Sequence, residues 1–216
     1  MEIAGIRIVS SDEGGLLFEV SAPDIERTPV ETVSGRFDQV RIPGYGYLGV
    51  EGYPDLPQTS TLIAIPPGAV PELTVLEQQS HIVEGVRVLP AAQQDLSNAF
   101  PDLTSDIGEY VPEFDTTYPV DAEAYSKDEF FPTNPVELDD IFWIRDRQVV
   151  RVLVRPVQAN TERQTLKIYS SITLQITFNY VYGAESLAPE TRQEASAYEA
   201  TLSENILNFE ESRGWR

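Results

Sequence analysis

The sequence predicts an all-β fold: a two-sheet antiparallel β-sandwich of jelly-roll type, with a C-terminal amphipathic helix. Three observations lead there. Apolar and polar residues alternate in about ten short runs, the period of a half-buried strand. Clusters of Gly, Pro and Asp separate the runs at regular spacing, as in sandwiches and barrels. Only near the end does the apolar spacing change from two to three and four.

Ile6 and Ile8, then Leu16, Phe18 and Val20, alternate on either side of Asp12-Glu13-Gly14-Gly15, a hairpin signature. Phe37 to Ile42 forms the next strand, followed by a loop punctuated by Gly44, Gly46, Gly49, Gly52, Pro54 and Pro57. Thr61 to Ile65 is a strand that ends at the turn Pro66-Pro67-Gly68. Leu73 to Gln78 and His81 to Leu89 follow as a strand pair. Residues 101–140 hold twelve acidic residues, five prolines and a single basic residue, Lys127. Periodicity fades there, and the stretch is expected to be a long acidic loop; loops of this length inside a domain are often functional. Strand pattern returns at Ile141. Val150, Val152 and Val154 alternate with Arg151, Leu153 and Arg155, and Ile172, Leu174, Ile176, Phe178 and Tyr180 line one face of a long half-solvated strand. From Pro189 to Phe209 the stripe Ala195, Tyr198, Leu202, Ile206, Phe209 predicts the helix, with Pro189 suited to its first turn and Gly214 to its stop. The expected division is a sandwich over 1–185 and a helical tail over 186–216.

Composition narrows the function. The 216 residues carry 35 acidic and 15 basic side chains, a net charge of −20. Such a field repels phosphate backbones and anionic membranes, so neither nucleic acid nor a membrane is an expected partner. With no cysteine and one histidine, His81, thiolate chemistry and multi-histidine metal sites are excluded. His81 lies in a strand pattern and no G-x-S-x-G elbow accompanies it, so a serine triad is not expected. Gly44-Tyr45-Gly46-Tyr47 lacks the lysine and helix of a phosphate loop. Asp139-Asp140 and the earlier acids could supply oxygen ligands to calcium, but without ordered loop spacing; no cofactor and no metal site are expected. Met1-Glu2-Ile3 opens directly into strand pattern, with no visible signal peptide.

One constellation is more specific. Gly52-Tyr53-Pro54-Asp55-Leu56-Pro57 leads into Thr61 to Ile65 and Pro66-Pro67-Gly68-Ala69. Much later come Val149 to Gln158, then Leu166-Lys167-Ile168-Tyr169 and the strand Ile172 to Phe178. This order, over residues 36–182, resembles the N-terminal propeptide of the gingipain family of cysteine peptidases. The resemblance implies a non-catalytic prodomain of a secreted zymogen, extracellular or periplasmic. It would cover the active-site cleft of a downstream catalytic domain, assist its folding, and be removed by cleavage at basic residues. Lys127, flanked by Tyr125, Phe130 and Phe131, is then the candidate for insertion into a specificity pocket that accepts Arg or Lys. Arg216, with Arg213 as the near alternative, is the candidate cleavage site. The competing reading is a carbohydrate- or calcium-binding sandwich module, for which Tyr45, Tyr47 and Tyr53 would form the aromatic platform.

Overall fold

Where a polar turn follows an alternating run, the chain folds back on itself. The computed structural model describes residues 5–21, 24–95, 115–145, 147–180 and 196–215. β1 (Ile6–Asp12) and β2 (Gly15–Val20) form the expected hairpin, and Asp12 Oδ1 accepts from the amides of Gly14 and Gly15 at 2.8 and 3.2 Å. β3 (Glu26–Thr32) and β4 (Gly35–Arg41) make a two-stranded ribbon. β5 (Gly46–Tyr47) pairs with β6 (Pro57–Ile65) across the glycine-rich loop. β7 (Ala69–Glu84) leaves the Pro66-Pro67-Gly68 turn, and β8 (Gln93–Asp95) pairs with β9 (Asp115–Thr117). One helical turn, α1 (Ala122–Tyr125), precedes β10 (Val136–Ile144), β11 (Arg147–Val154), β12 (Val157–Asn160) and β13 (Thr165–Tyr180). The tail holds α2 (Ser196–Asn205) and a 3-10 turn, Glu211–Gly214.

Besides the two-stranded pairs, two larger antiparallel sheets form. The larger runs β1-β2-β13-β12, with β7 along the other edge of β13; the smaller runs β10-β11-β6-β5. Leu16, Phe18 and Val20 of β2 join Ile172, Leu174 and Ile176 of β13 in one buried cluster with Ile63 and Ile65 of β6 and Val150, Val152 and Val154 of β11. Each such side chain contributes about 1.5–3 kcal/mol relative to exposure. A second cluster, Val40, Ile42, Leu56, Val86, Val88, Val157, Ala159, Leu166 and Ile168, lies beneath the glycine-rich loop.

The structure departs from the expected elements in four places. Leu73–Gln78 and His81–Leu89 are not a strand pair: one strand of sixteen residues runs to Glu84. The polar stretch Gln78-Gln79-Ser80 imitates a turn, but pairing with β13 holds it extended, opposite Ile172, Ser171 and Tyr169. β3 has no apolar alternation to read because most of it is exposed. The 101–140 stretch is not structureless throughout: β9, α1 and the start of β10 fall within it, while residues 101–114 lie outside the described residues. β10 begins at Val136 because Val136 pairs with Val154.

The tail is the fourth. The described helix covers Ser196–Asn205, and 181–195 lie outside the described residues. Ile206 and Phe209 of the expected stripe are buried beyond the helix end. There the open edge of β6 competes successfully for the backbone. Leu207 N–H donates to the Leu62 carbonyl at 2.8 Å. The fully buried Asn208 amide accepts from Ala64 N–H at 2.8 Å and donates to Ala64 C=O at 3.0 Å, imitating a strand. Arg147, 2% exposed, donates to Ser212 O at 3.3 Å with its guanidinium 4.6 Å from the Phe209 ring centre. Its Nε and Nη2 have no partner among the described residues. Trp215 meets Phe178 edge-on at 5.6 Å.

Asn208→Ala strands a buried donor and acceptor on Ala64. A loss of about 1–3 kcal/mol is expected, read as a lower urea midpoint; an unchanged midpoint would mean the edge of β6 is satisfied without the tail.

Candidate functional site

The G-x-P-x-L-P segment is the foundation of the site. Gly52 takes φ +78°, and a Cβ on it would lie 2.8 Å from Asp121 Cβ, so only glycine lets the two segments meet. Asp121 N–H donates to the Gly52 carbonyl at 3.1 Å. Asp55 N–H donates to Leu89 O at 2.8 Å and Ala91 N–H to Tyr53 O at 2.9 Å, so the segment is stitched to 89–91. Leu56 is fully buried beneath it.

On this base sits the middle of the acidic stretch. Asp121 caps α1, its Oδ1 accepting from Glu123 and Ala124 amides at 2.8 and 3.1 Å. Two residues beyond α1 stands Lys127. Immediately after it, Asp128 accepts from Arg163 through Nε (2.5 Å) and Nη2 (2.6 Å) and from Asn160 Nδ2 (2.9 Å). Thr161 Oγ1 donates to Ala124 O at 3.0 Å. Phe131 exchanges two backbone hydrogen bonds with Ala159, at 2.9 and 2.7 Å, and Gln158 Nε2 donates to the carbonyls of Pro132 and Thr133 at 2.6 and 2.9 Å. The lysine therefore stands on a short turn fixed on both sides, its side chain 41% exposed.

The aromatics flanking Lys127 in sequence diverge in space. Tyr125 turns inward: its hydroxyl donates to Val88 O at 2.8 Å and its ring meets Phe37 edge-on at 6.3 Å. Burial pushes that hydroxyl's pKa up. Phe131 packs on Tyr53 with ring centres 5.0 Å apart, and the ammonium of Lys167 is 5.9 Å from the Phe130 ring centre. Arg163 thus grips Asp128, next to Lys127, and Lys167 faces the Phe130 ring, contacts that sequence spacing could not reveal. Lys127 Nζ is 3.4 Å from Glu123 Oε1. That hydrogen bond, followed by the Tyr53 hydroxyl and the charges of Glu123 and Glu129, raises its pKa. The two Arg163 bonds, then that from Asn160, hold the Asp128 carboxyl below its ordinary value.

The other candidates are placed as follows. Arg213 lies in the 3-10 turn, paired with Glu210 at 2.9 Å, between buried Ser212 and Trp215; Arg216 lies outside the described residues. Tyr45, Tyr47 and Tyr53 are each half-buried, and burial raises the Tyr45 hydroxyl to about 12. Asp139 pairs with Arg151 at 3.3 Å, and no group of three or more potential metal ligands occurs among the described residues. His81 is exposed on β7.

A family model, Propeptide_C25, matches residues 4–214. The chain belongs to the Propeptide_C25 family. Among curated relatives, Lys-gingipain HG66 of Porphyromonas gingivalis is 28% identical over 174 residues, 80% of this chain and 10% of that protein. Gingipain R1 of Porphyromonas gingivalis is 25% identical over 193 residues, 88% of this chain and 18% of that protein. The chain spans about a tenth of the length of the Lys-gingipain relatives. The fold matches a complex of Porphyromonas gingivalis RgpB pro- and mature domains with a TM-score of 0.72 at 20% identity, covering 97% of this chain and 100% of that one. It also matches a structure concerned with zymogenic latency of gingipain K from Porphyromonas gingivalis, with a TM-score of 0.62 at 24% identity, over 84% of this chain and 96% of that one. Membership in the Propeptide_C25 family places the G-x-P-x-L-P segment within a propeptide domain, and here that segment supports the Lys127 turn.

Two outcomes follow from this geometry. Gly52→Ala forces a positive φ on alanine and a clash with Asp121, a cost of roughly 1–3 kcal/mol; hydrogen exchange over 121–133 should accelerate while the exchange of β13 stays as it is. The Asp128 value is lower in the folded than in the unfolded chain. Its stabilisation is therefore present above the ordinary Asp value, about 3.9, and is lost as pH falls through the folded value. In a carbon-13 titration the Asp128 carboxyl should turn below the ordinary range, and Arg163→Gln should bring it back up.

Proposed function

We propose that this chain is the non-catalytic prodomain of a gingipain-like cysteine peptidase zymogen. It keeps the catalytic domain latent by covering its cleft, assists the folding of that domain, and is removed by cleavage at basic residues. The partner is the peptidase domain of the same zymogen, and the compartment is extracellular or periplasmic. Jelly-roll connectivity belongs to the same reading, since each sheet interleaves early and late strands.

The observation that carries the inhibitory part is the presentation of Lys127 on a braced turn. A pocket selecting Arg or Lys holds the charge on a carboxylate. The exposed Lys127–Glu123 pair is of the weak, solvent-screened surface kind, so the ammonium can change carboxylate at little cost. Because the turn is already braced, ordering it in a complex costs little further entropy. While the chain remains covalently joined to the peptidase, the effective concentration is of order millimolar, and a modest contact suffices for latency.

For release, Arg216 is favoured over Arg213. A peptidase cleft needs an extended segment; a cut after either arginine must unseat Trp215, 8% exposed, and a cut after Arg213 must also unseat the adjoining Ser212, 1% exposed. The carbohydrate-binding alternative has less support, because its tyrosines are half-buried and Tyr53 is engaged with Phe131.

The test is titration of this chain into the peptidase domain of its own zymogen, following hydrolysis of Arg- and Lys-terminated reporters. Stoichiometric loss of activity is expected, and Lys127→Ala should weaken inhibition at least tenfold, an anchor-sized effect, at unchanged melting temperature. A peptidase indifferent to the chain would overturn the inhibitory reading; equal inhibition by Lys127→Ala would remove only the lysine.

A further inference from the structure

The long edge of the larger sheet is unusual for a domain that must stay soluble. β7 pairs with β13 along its whole length, from Ala69 opposite Tyr180 to Glu84 opposite Thr165. Among the described residues no strand pairs with its other edge. Every residue from Thr74 to Ile82 is exposed, including Val75, Leu76 and Ile82 at 44, 53 and 50%. Natural edges of this kind are shortened or guarded by lysines and prolines. β7 contains no Lys or Arg, and its one proline, Pro71, stands near the start; its guards are three glutamates and one bulge, at Leu76, which the register with β13 skips.

We propose that the free edge of β7 accepts an extended, positively charged strand of the peptidase domain, lengthening the larger sheet by one strand. This rests on the prodomain reading above. Strand addition draws affinity from main-chain hydrogen bonds and specificity from alternate side chains. The strand's own charges are Glu72, Glu77 and Glu84, with His81 as its only other titratable group. On the paired strand, Asn179 donates to Glu72 at 3.0 Å, and Lys167, opposite Ile82, directs its ammonium toward the Tyr169 ring, 4.7 Å from its centre. Basic side chains at alternate positions complement this edge, and Val75, Leu76 and Ile82 offer them aliphatic neighbours. A second copy of this chain is a poor occupant, since each copy carries −20 and brings another edge without a cation.

Position points to the same occupant. Ile82 lies opposite Lys167, whose ammonium is within 5.9 Å of the Phe130 ring centre. Just beyond β7, Val86 N–H donates to Gln164 O at 2.8 Å, next to the Arg163 that grips Asp128. The end of β7 and the Lys127 turn therefore belong to one margin of the molecule, and a domain engaging Lys127 lies where it can run along β7.

Hydrogen exchange of this chain, alone and mixed with the peptidase domain of its zymogen, tests this, with activity recorded in parallel. Exchange over Val75–Ile82 should slow at least tenfold in the complex. Glu77→Lys should weaken the complex at least tenfold at low salt, and Leu76→Gln should weaken it several-fold, both at unchanged melting temperature. An inhibited complex in which β7 exchanges as freely as before would overturn the proposal while leaving the prodomain reading intact. Absence of any complex would overturn both. Protection of β7 in this chain alone that grows with its concentration would assign the edge to a second copy and overturn the occupant named here.

Discussion

β13 runs from Thr165 to Tyr180, and the larger sheet is assembled on it. One edge takes β12 over Thr165–Ile168 and β2 over Ile172–Thr177; the other takes β7 from end to end. Its inward residues Leu166, Ile172, Leu174 and Ile176 are fully buried, and they divide between the two apolar clusters. A register slip of one residue would turn this entire row to solvent. Strands distant in sequence are thereby fixed relative to one another, and the short strand β12 inherits a position from which its far edge can hold Phe131.

Ala159 binds Phe131 through the backbone, Asn160 and Arg163 hold Asp128, and Gly52 holds Asp121. Lys127 is thus positioned by residues far from it in sequence, and its own contact, an exposed pair with Glu123, contributes little. A cation on a stiff base loses less conformational entropy on docking than one on a loose loop.

The sandwich was legible where burial on one face imposes alternation, as in β2, β11 and β13. Sequence reading failed where pairing alone maintains the strand. β3 is exposed and carries no pattern, and the middle of β7 is polar enough to resemble a turn. The tail misled for the opposite reason. Leu202, Ile206 and Phe209 keep helical spacing, yet Asn208 takes the place of a strand residue on Ala64 and ends the helix before them all are used. Of the site, Lys127 stands out as the one cation in an acidic stretch. Arg163 as the partner of Asp128, and Lys167 beside Phe130, were invisible, since more than thirty residues intervene. The glycine of the G-x-P-x-L-P segment was a readable sign of close backbone approach; its contact, Asp121, was not.

Arg147 has a consequence for the tail. Its guanidinium is enclosed by Phe209 and Ser212 with two nitrogens left unpartnered among the described residues. Water is the better solvent for that cation, so part of what the tail gains by burying Leu207, Phe209 and Trp215 is offset at the same spot. Lifting the tail returns the hydration of Arg147 but opens the apolar cluster that Leu207, Phe209 and Trp215 share with both sheets. Such an arrangement gives residues 206–215 a smaller net hold on the sandwich than their buried apolar side chains alone would supply.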